Sequence, residues 1–190
     1  MAYSSTSVVN EAIMLMGGNQ PPVTGAAPNF DQSAAGKAAA LLYAPAVAAI
    51  TRQSAWDFAR TLATLAVTGN TPPVQFAYEY AYPANCDQVT QVSPAGGIDP
   101  NNPLPVNWVV GNAVVDGAPT KVIWTDLGPA VAFFSSSAPL ENIWDPLFHQ
   151  GVVRLLSSAM SEAIAGKPDL AMSMIEQASQ FTQLGETRDS

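Results

Sequence analysis

His149 and Cys86 are the only histidine and the only cysteine in the chain. A thiolate beside an imidazole is a nucleophile–base pair for acyl transfer. A histidine-based metal site, by contrast, needs two or more His or Cys ligands within reach. Cys86 stands at the start of a predicted strand, where it reads as a small buried hydrophobe. His149 stands beside Phe148 in the first turn of a predicted helix and reads as a hydrogen-bonded packing residue. A Cys86–His149 pair stays open, but packing is the reading adopted for both. Fifteen carboxylates offer many accidental glycosidase pairs, and the separation that defines one is not visible in a sequence. The chain has no GxxxxGK[ST], GxSxG, HExxH or GxGxxG motif. Gly96-Gly97 sits in a proline-rich stretch and reads as a turn. Phe76, Tyr78, Tyr80 and Tyr82 repeat at period two and could stack sugars or bases; an inward-facing strand is the alternative preferred. The expectation is therefore no catalytic, cofactor-binding or metal residue, no cofactor, and no enzyme.

Charge narrows the partners. Seven Lys and Arg face fifteen Asp and Glu, for a net charge of −8. Proteins that grip phosphates cluster their cations. Here the cations are scattered at Lys37, Arg52, Arg60, Lys121, Arg154, Lys167 and Arg188. Specific DNA binding is not expected, and an acidic wall past which DNA slides is compatible with this balance. Acidity that serves only solubility is the plainer alternative. Charged residues make up 12% of the chain, against about 25% in a typical domain. A neutral surface of that kind is compatible with extensive subunit contacts.

A lone cysteine excludes an intrachain disulfide framework and fits a reducing compartment. Met1-Ala2-Tyr3-Ser4 has neither the basic start nor the apolar core of a signal peptide. The apolar run Ala38–Ile50, interrupted by Pro45, is shorter than the roughly 20 residues of a membrane span. A soluble protein without a span is expected.

The elements that must position these residues fall into three zones: helical patterns at 6–55 and 144–184, and a β-rich middle at 57–140. Val9, Ile13 and Met16 share one face of a first helix from Thr6 to Met16. Gly17-Gly18 and Pro21-Pro22 end it. A second helix is predicted from an Asp31 cap to Gln53, with Ala35, Ala38, Leu42, Ala46 and Ile50 on one face. Pro45 is expected to kink or split it near Leu42-Tyr43. Asp145-Pro146 starts a third helix, with an acceptor at the cap and proline where its missing N–H is harmless. Phe148, Val152, Leu155, Ala159 and Ala163 line it. Gly166 and Pro168 separate it from a fourth helix reaching Leu184, and the two should form a hairpin. Residues 185–190 read as a flexible tail.

In the middle zone, strands are predicted at Ala59–Val67, Gln75–Tyr82, Cys86–Val92, Lys121–Thr125 and Ala130–Phe134. A hairpin about Gly111-Asn112 would join Asn107–Val110 to Ala113–Asp116. Ser93–Pro105 reads as a long loop. Such short strands suggest a small antiparallel sheet, sandwich or barrel. The fold class expected is α+β: an antiparallel helical bundle formed by both chain ends, with a small antiparallel β domain inserted. Its parts are residues 1–56, 57–140, 141–184 and 185–190.

The order of these features resembles one family. It begins with Val9-Asn10-Glu11-Ala12-Ile13, Gly17-Gly18 and Pro21-Pro22-Val23. An alanine-rich helix follows, ending in Arg52-Gln53-Ser54-Ala55-Trp56-Asp57-Phe58-Ala59. Then come Phe76-Ala77-Tyr78-Glu79-Tyr80-Ala81-Tyr82-Pro83-Ala84-Asn85-Cys86 and finally Trp144-Asp145-Pro146-Leu147-Phe148. Together they resemble the head-to-tail adaptors of short-tailed phages, also called tail tubular protein A. The chain departs from that pattern at Asp87-Gln88, where members often carry Arg, and in its long Ser93–Pro105 loop. The resemblance implies a virion structural protein of the neck, made in the host cytoplasm. It implies a homo-oligomer, a dodecameric ring, docked on the portal above and a tail nozzle or other tail protein below. DNA would pass through its channel without specific binding. The alternatives kept are a virion-associated wall-degrading enzyme and a carbohydrate-binding module using the tyrosine stripe.

Overall fold

The computed structural model describes residues 3–17, 20–54, 56–96, 106–137, 139–165 and 168–188. The protein is α+β, with four α-helices and small antiparallel sheets among the described residues. It divides into two compact units, Met1–Ala59 with Ser137–Ser190, and Arg60–Ser136.

The first unit carries the helices. Helix α1 (Ser5–Met16) starts on Ser4, whose hydroxyl accepts from the Ser7 amide while the Ser7 hydroxyl accepts from the Ser4 amide. That reciprocal cap satisfies two otherwise orphaned donors. Gly17 ends the helix at φ 63°, a left-handed conformation that glycine adopts without strain. Asn10 then pins the returning chain, donating to the Val23 carbonyl and accepting from its amide. A two-residue ribbon of β1 (Gly25–Ala26) and β2 (Asn29–Phe30) leads to the second helix.

Helix α2 (Ala34–Gln53) is capped by Ser33, not by the predicted Asp31. The Asp31 carboxylate instead accepts from the Thr24 and Ser33 amides. The Ser33 hydroxyl, then those two amides, hold its pKa down at about 2. Pro45 does not split the helix. Pro45 and Leu41 both lie on the exposed face, so the Leu41 carbonyl that loses its donor can turn to water. The buried stripe is Ala35, Ala39, Tyr43, Ala46, Val47 and Ile50, with the predicted Ala38 and Leu42 only at its edge.

Helix α3 (Pro146–Met160) begins as its sequence predicts, with the Asp145 carboxylate accepting from the Leu147 amide at 2.7 Å. A π-helical turn, Ser161–Ala165, follows it. Helix α4 (Pro168–Arg188) then runs past the expected end at Leu184. Residues 185–188, expected in a flexible tail, are therefore helical, and 189–190 lie outside the described residues. Gly185 explains the continuation: a Cβ there would stand 2.5 Å from the Trp56 ring, so glycine lets the helix lie against that indole. The core of this unit joins Val8, Val9 and Ile13 of α1, Ile50 of α2, and Phe148, Val152 and Leu156 of α3. Phe148 is its hub, with Trp144, Phe58 and Trp56 all within 5.2 Å, edge to face. Such pairs add about 0.5–1.5 kcal/mol each to the burial itself.

The second unit holds six strands: β3 (Arg60–Thr64), β4 (Tyr78–Ala81), β5 (Cys86–Pro94), β6 (Trp108–Val115), β7 (Ala118–Thr125) and β8 (Ala130–Ser136). They form two antiparallel three-stranded sheets, ordered β3-β8-β5 and β4-β7-β6. Leu65, Tyr80, Val89, Val92, Ile123, Ala132 and Phe134 make one core that draws on both sheets.

Four elements differ from their expected bounds. The hairpin does not turn at Gly111-Asn112, because β6 runs straight through both residues. It turns at Asp116-Gly117, whose φ of 52° and 82° suit the tight turn joining twisted strands. Gly111 serves close approach instead: a Cβ there would stand 2.1 Å from the Trp124 ring. The strand predicted from Gln75 starts only at Tyr78, and the one predicted from Ala59 starts at Arg60 after a 3-10 turn at Asp57–Ala59. The predicted 93–105 loop begins later, since β5 extends to Pro94, and residues 97–105 lie outside the described part.

Candidate functional site

Cys86 and His149 belong to different units. Burial pushes the Cys86 thiol pKa up, against the opposing pull of the Tyr82 hydroxyl. An activated nucleophile needs the reverse shift. His149 is 2% exposed and stacks flat on Tyr3, centroid to centroid 3.9 Å. Its Nδ1 lies 3.5 Å from the Gln150 amide nitrogen. Its Nε2 faces Glu11 at 3.4 Å but makes no hydrogen bond. The ring packs in the core as expected, hydrogen-bonded to Gln150 through Nδ1 and without a hydrogen bond at Nε2. Burial lowers the pKa of His149, and the Glu11 carboxylate works against that shift. Among the described residues no three His, Cys, Asp or Glu side chains gather as metal ligands do.

The aromatic stripe does not stay on one face. Phe76 precedes β4 and stacks near Trp124, the cross-strand partner of Glu79. That places it across the sheet from Tyr80. Tyr80 is buried and donates to the Leu127 carbonyl at 2.8 Å. Tyr82 is half-buried, with the Lys121 ammonium 5.3 Å from its ring centre. Tyr78, 40% exposed, is the most open ring of the four, and the Gly128 backbone passes close beneath it.

Glu79 was not legible as a special residue. Strand alternation puts it opposite the tyrosines, on the side read as outward, yet it is only 4% exposed. Its carboxylate accepts from the Thr68 hydroxyl at 2.7 Å, the Asn70 amide at 2.8 Å and the Trp124 indole at 2.7 Å. Burial pushes its pKa up, but the Trp124, Thr68 and Asn70 bonds outweigh this and leave it lowered. Its three donors are neutral, and they tie the 68–70 turn to the β4-β7-β6 sheet.

In the first unit an apolar cavity of about 320 Å³ opens between α2 and the segment before α3. Ala27, Val47, Leu140 and Trp144 line it, together with Tyr43, whose hydroxyl donates to Glu141 at 2.9 Å. Burial, and then Glu141, raise the Tyr43 pKa. The helices expose several large apolar side chains. Leu41 is 75% exposed and Met172 65%, and Met14, Ile175 and Leu184 are exposed too. Among the described residues α2 is the helix long and apolar enough to cross a membrane, with a mean hydropathy of 1.4 and 44% of that window buried in the protein.

No family model matches this chain, and no curated protein matches it. Among the described residues the geometry offers an apolar cavity and large apolar side chains exposed on the helices.

Proposed function

We propose that this protein is a ring-forming head-to-tail adaptor of a short-tailed phage, joining the portal to the tail without catalysis. In this reading the helices of both chain ends act as an antiparallel bundle that docks on the portal. The inserted β unit meets the nozzle or other tail protein, and DNA passes through the central channel past an acidic wall. The protein is made in the host cytoplasm and resides in the neck of the virion. One observation carries the reading: large apolar side chains, Leu41, Met14 and Met172 foremost, stand exposed on helices of a chain with only 12% charged residues. Exposed apolar surface of this kind marks protein contact sites. The order of sequence motifs from Val9 to Phe148 supports the same assignment. Mixing the purified chain with a short-tailed phage portal and imaging by electron microscopy tests it. A ring seated on the portal is expected. A chain that stays monomeric and never binds would refute it.

A further inference from the structure

Helix α2 has two faces of different character. Its inner face is the core stripe described above. Its outer stripe runs Lys37, Leu41, Ala44, Ala48 at i, i+4, i+7, i+11, with Ala40 and Pro45 beside it. Between Lys37 and Arg52 the helix holds no charged residue, and it holds no carboxylate at all. In a chain of fifteen carboxylates and seven cations, α2 is thus a cationic, apolar exception.

Helix α4 carries the complement. Its outer stripe runs Asp169, Met172, Glu176, Ser179 at i, i+3, i+7, i+10, all exposed. The pattern is a projecting methionine flanked by two carboxylates. The opposite face of α4, with Ala171, Met174 and Ala178, is buried. Ser158 of α3 donates to the Ala171 carbonyl on that buried side. No ion pair engages Lys37, Asp169 or Glu176 within the described residues. A lysine beside an exposed leucine on one helix meets its match in a methionine between carboxylates on another. A second copy of this same chain can bring the two together.

We infer that the outer face of α2 is a self-association surface whose occupant is the outer face of α4 of a second copy. The contact is heterologous, since two different faces meet. Repetition of such a contact closes a ring or runs on as a filament. One helix laid on another buries less than the roughly 1,600 Å² of a standard interface. A single contact is therefore weak, and closure, in which every copy makes the contact twice, supplies the rest. The inference rests on the ring assembly proposed above but assigns the faces independently of the portal.

Sedimentation velocity of the full chain, alone and with portal, tests this assignment. The wild type should associate with rising concentration. Leu41→Glu should abolish association; Leu41 is exposed, and far-UV circular dichroism should confirm an unchanged fold. Lys37→Glu should weaken association roughly tenfold, as should Asp169→Lys with Glu176→Lys. Combining the three charge reversals should restore much of the loss, a rescue that simple misfolding cannot produce. Wild-type monomer under both conditions overturns the inference, as does Leu41→Glu that associates like wild type. Association that follows these variants in a chain without affinity for any portal upholds the faces and sinks the adaptor reading alone.

Discussion

Replacing Glu79 by Gln changes one oxygen to an amide nitrogen and little else in shape. In the native protein the two carboxylate oxygens divide the work. Oε1 accepts from Thr68 and Asn70, and Oε2 accepts from the Trp124 indole. A glutamine keeps a single acceptor oxygen. Serving Thr68 and Asn70 with it turns the amide NH₂ toward the Trp124 N–H, donor against donor at a native spacing of 2.7 Å. Turning it round leaves two donors facing the NH₂ instead. Asn70 is further constrained because its amide also donates to the Val114 carbonyl. At minimum one charge-assisted hydrogen bond is lost, worth about 1.5–3 kcal/mol. For a chain of this size that corresponds to a melting-temperature drop of roughly 3–12 °C.

The same carboxylate gives the effect a pH signature. Its pKa in the folded protein lies below the ordinary 4.5. Below 4.5 the unfolded chain takes up a proton that the folded protein still refuses. The stability contributed by Glu79 is thus complete above pH 4.5 and is lost as pH falls toward the folded value. Glu79→Gln should be less stable than wild type at pH 7 and should converge on it in acid. Thermal melts over that range supply the curves. Amide exchange locates the change, since Thr68 N–H donates to the Glu79 carbonyl and Ala81 N–H to that of Ala66. Equal stability of the two proteins at neutral pH, or unchanged exchange at these amides, would refute the reasoning.

Three further substitutions test other parts of the fold. Gly111→Ala drives a methyl group into the Trp124 ring and should cost about 1–3 kcal/mol by overpacking. Gly117→Ala meets no atom within 4 Å but sits at φ 82°; it should cost about 1 kcal/mol, so chemical denaturation should rank Gly111→Ala as the more severe. His149→Phe keeps the stack on Tyr3 and removes an Nε2 that makes no hydrogen bond, at the loss of the long Gln150 contact to Nδ1, so stability at pH 7 should hold or rise by about 1–3 kcal/mol. Burial lowers the pKa of His149 below 6.5; its contribution is therefore complete above pH 6.5 and falls away below it. Denaturant titrations between pH 5 and pH 7 should show a slope in wild type that the variant lacks, and an identical slope in both would count against this account.

Features set by neighbours in sequence were legible in the sequence. Gly17, and Asp145 with the proline at position 146, announce helix ends through caps that reach no further than three residues. Features set across the chain were not. Gly111-Asn112 and Asp116-Gly117 are both good turn signals, five residues apart. What disqualifies the first is the Trp124 ring on the neighbouring strand, which leaves no room for a side chain and needs none for a turn. Glu79 was not legible for the same reason. Alternation predicts which side of a strand a residue faces, but its donors come from residues 68, 70 and 124 and cover that side. Residues 185–190 read as a tail because they are polar and terminal, whereas Gly185 makes room for Trp56, far away in the sequence.

Helix α2 brings these strands of reasoning to one point. Its composition satisfies the length and hydropathy of a membrane span, yet a bilayer would surround it on every side. Its inner face holds Thr51, buried and bonded to the Val47 carbonyl, and Tyr43, bonded to the Glu141 carboxylate from a distant segment. Insertion would strip Ile50 and Ala39 from the core they share with α1 and α3 and carry or break the Tyr43–Glu141 bond. A helix free to span would be apolar all round, without such commitments. Within this fold only the outer half of α2 is available for contact. That half has the width of one helix stripe, ends in a cation at Lys37, and lacks the polar groups a solvent-facing helix ordinarily carries. A partner helix with apolar and acidic side chains answers all three conditions at once, and α4 of another copy has them in the required order.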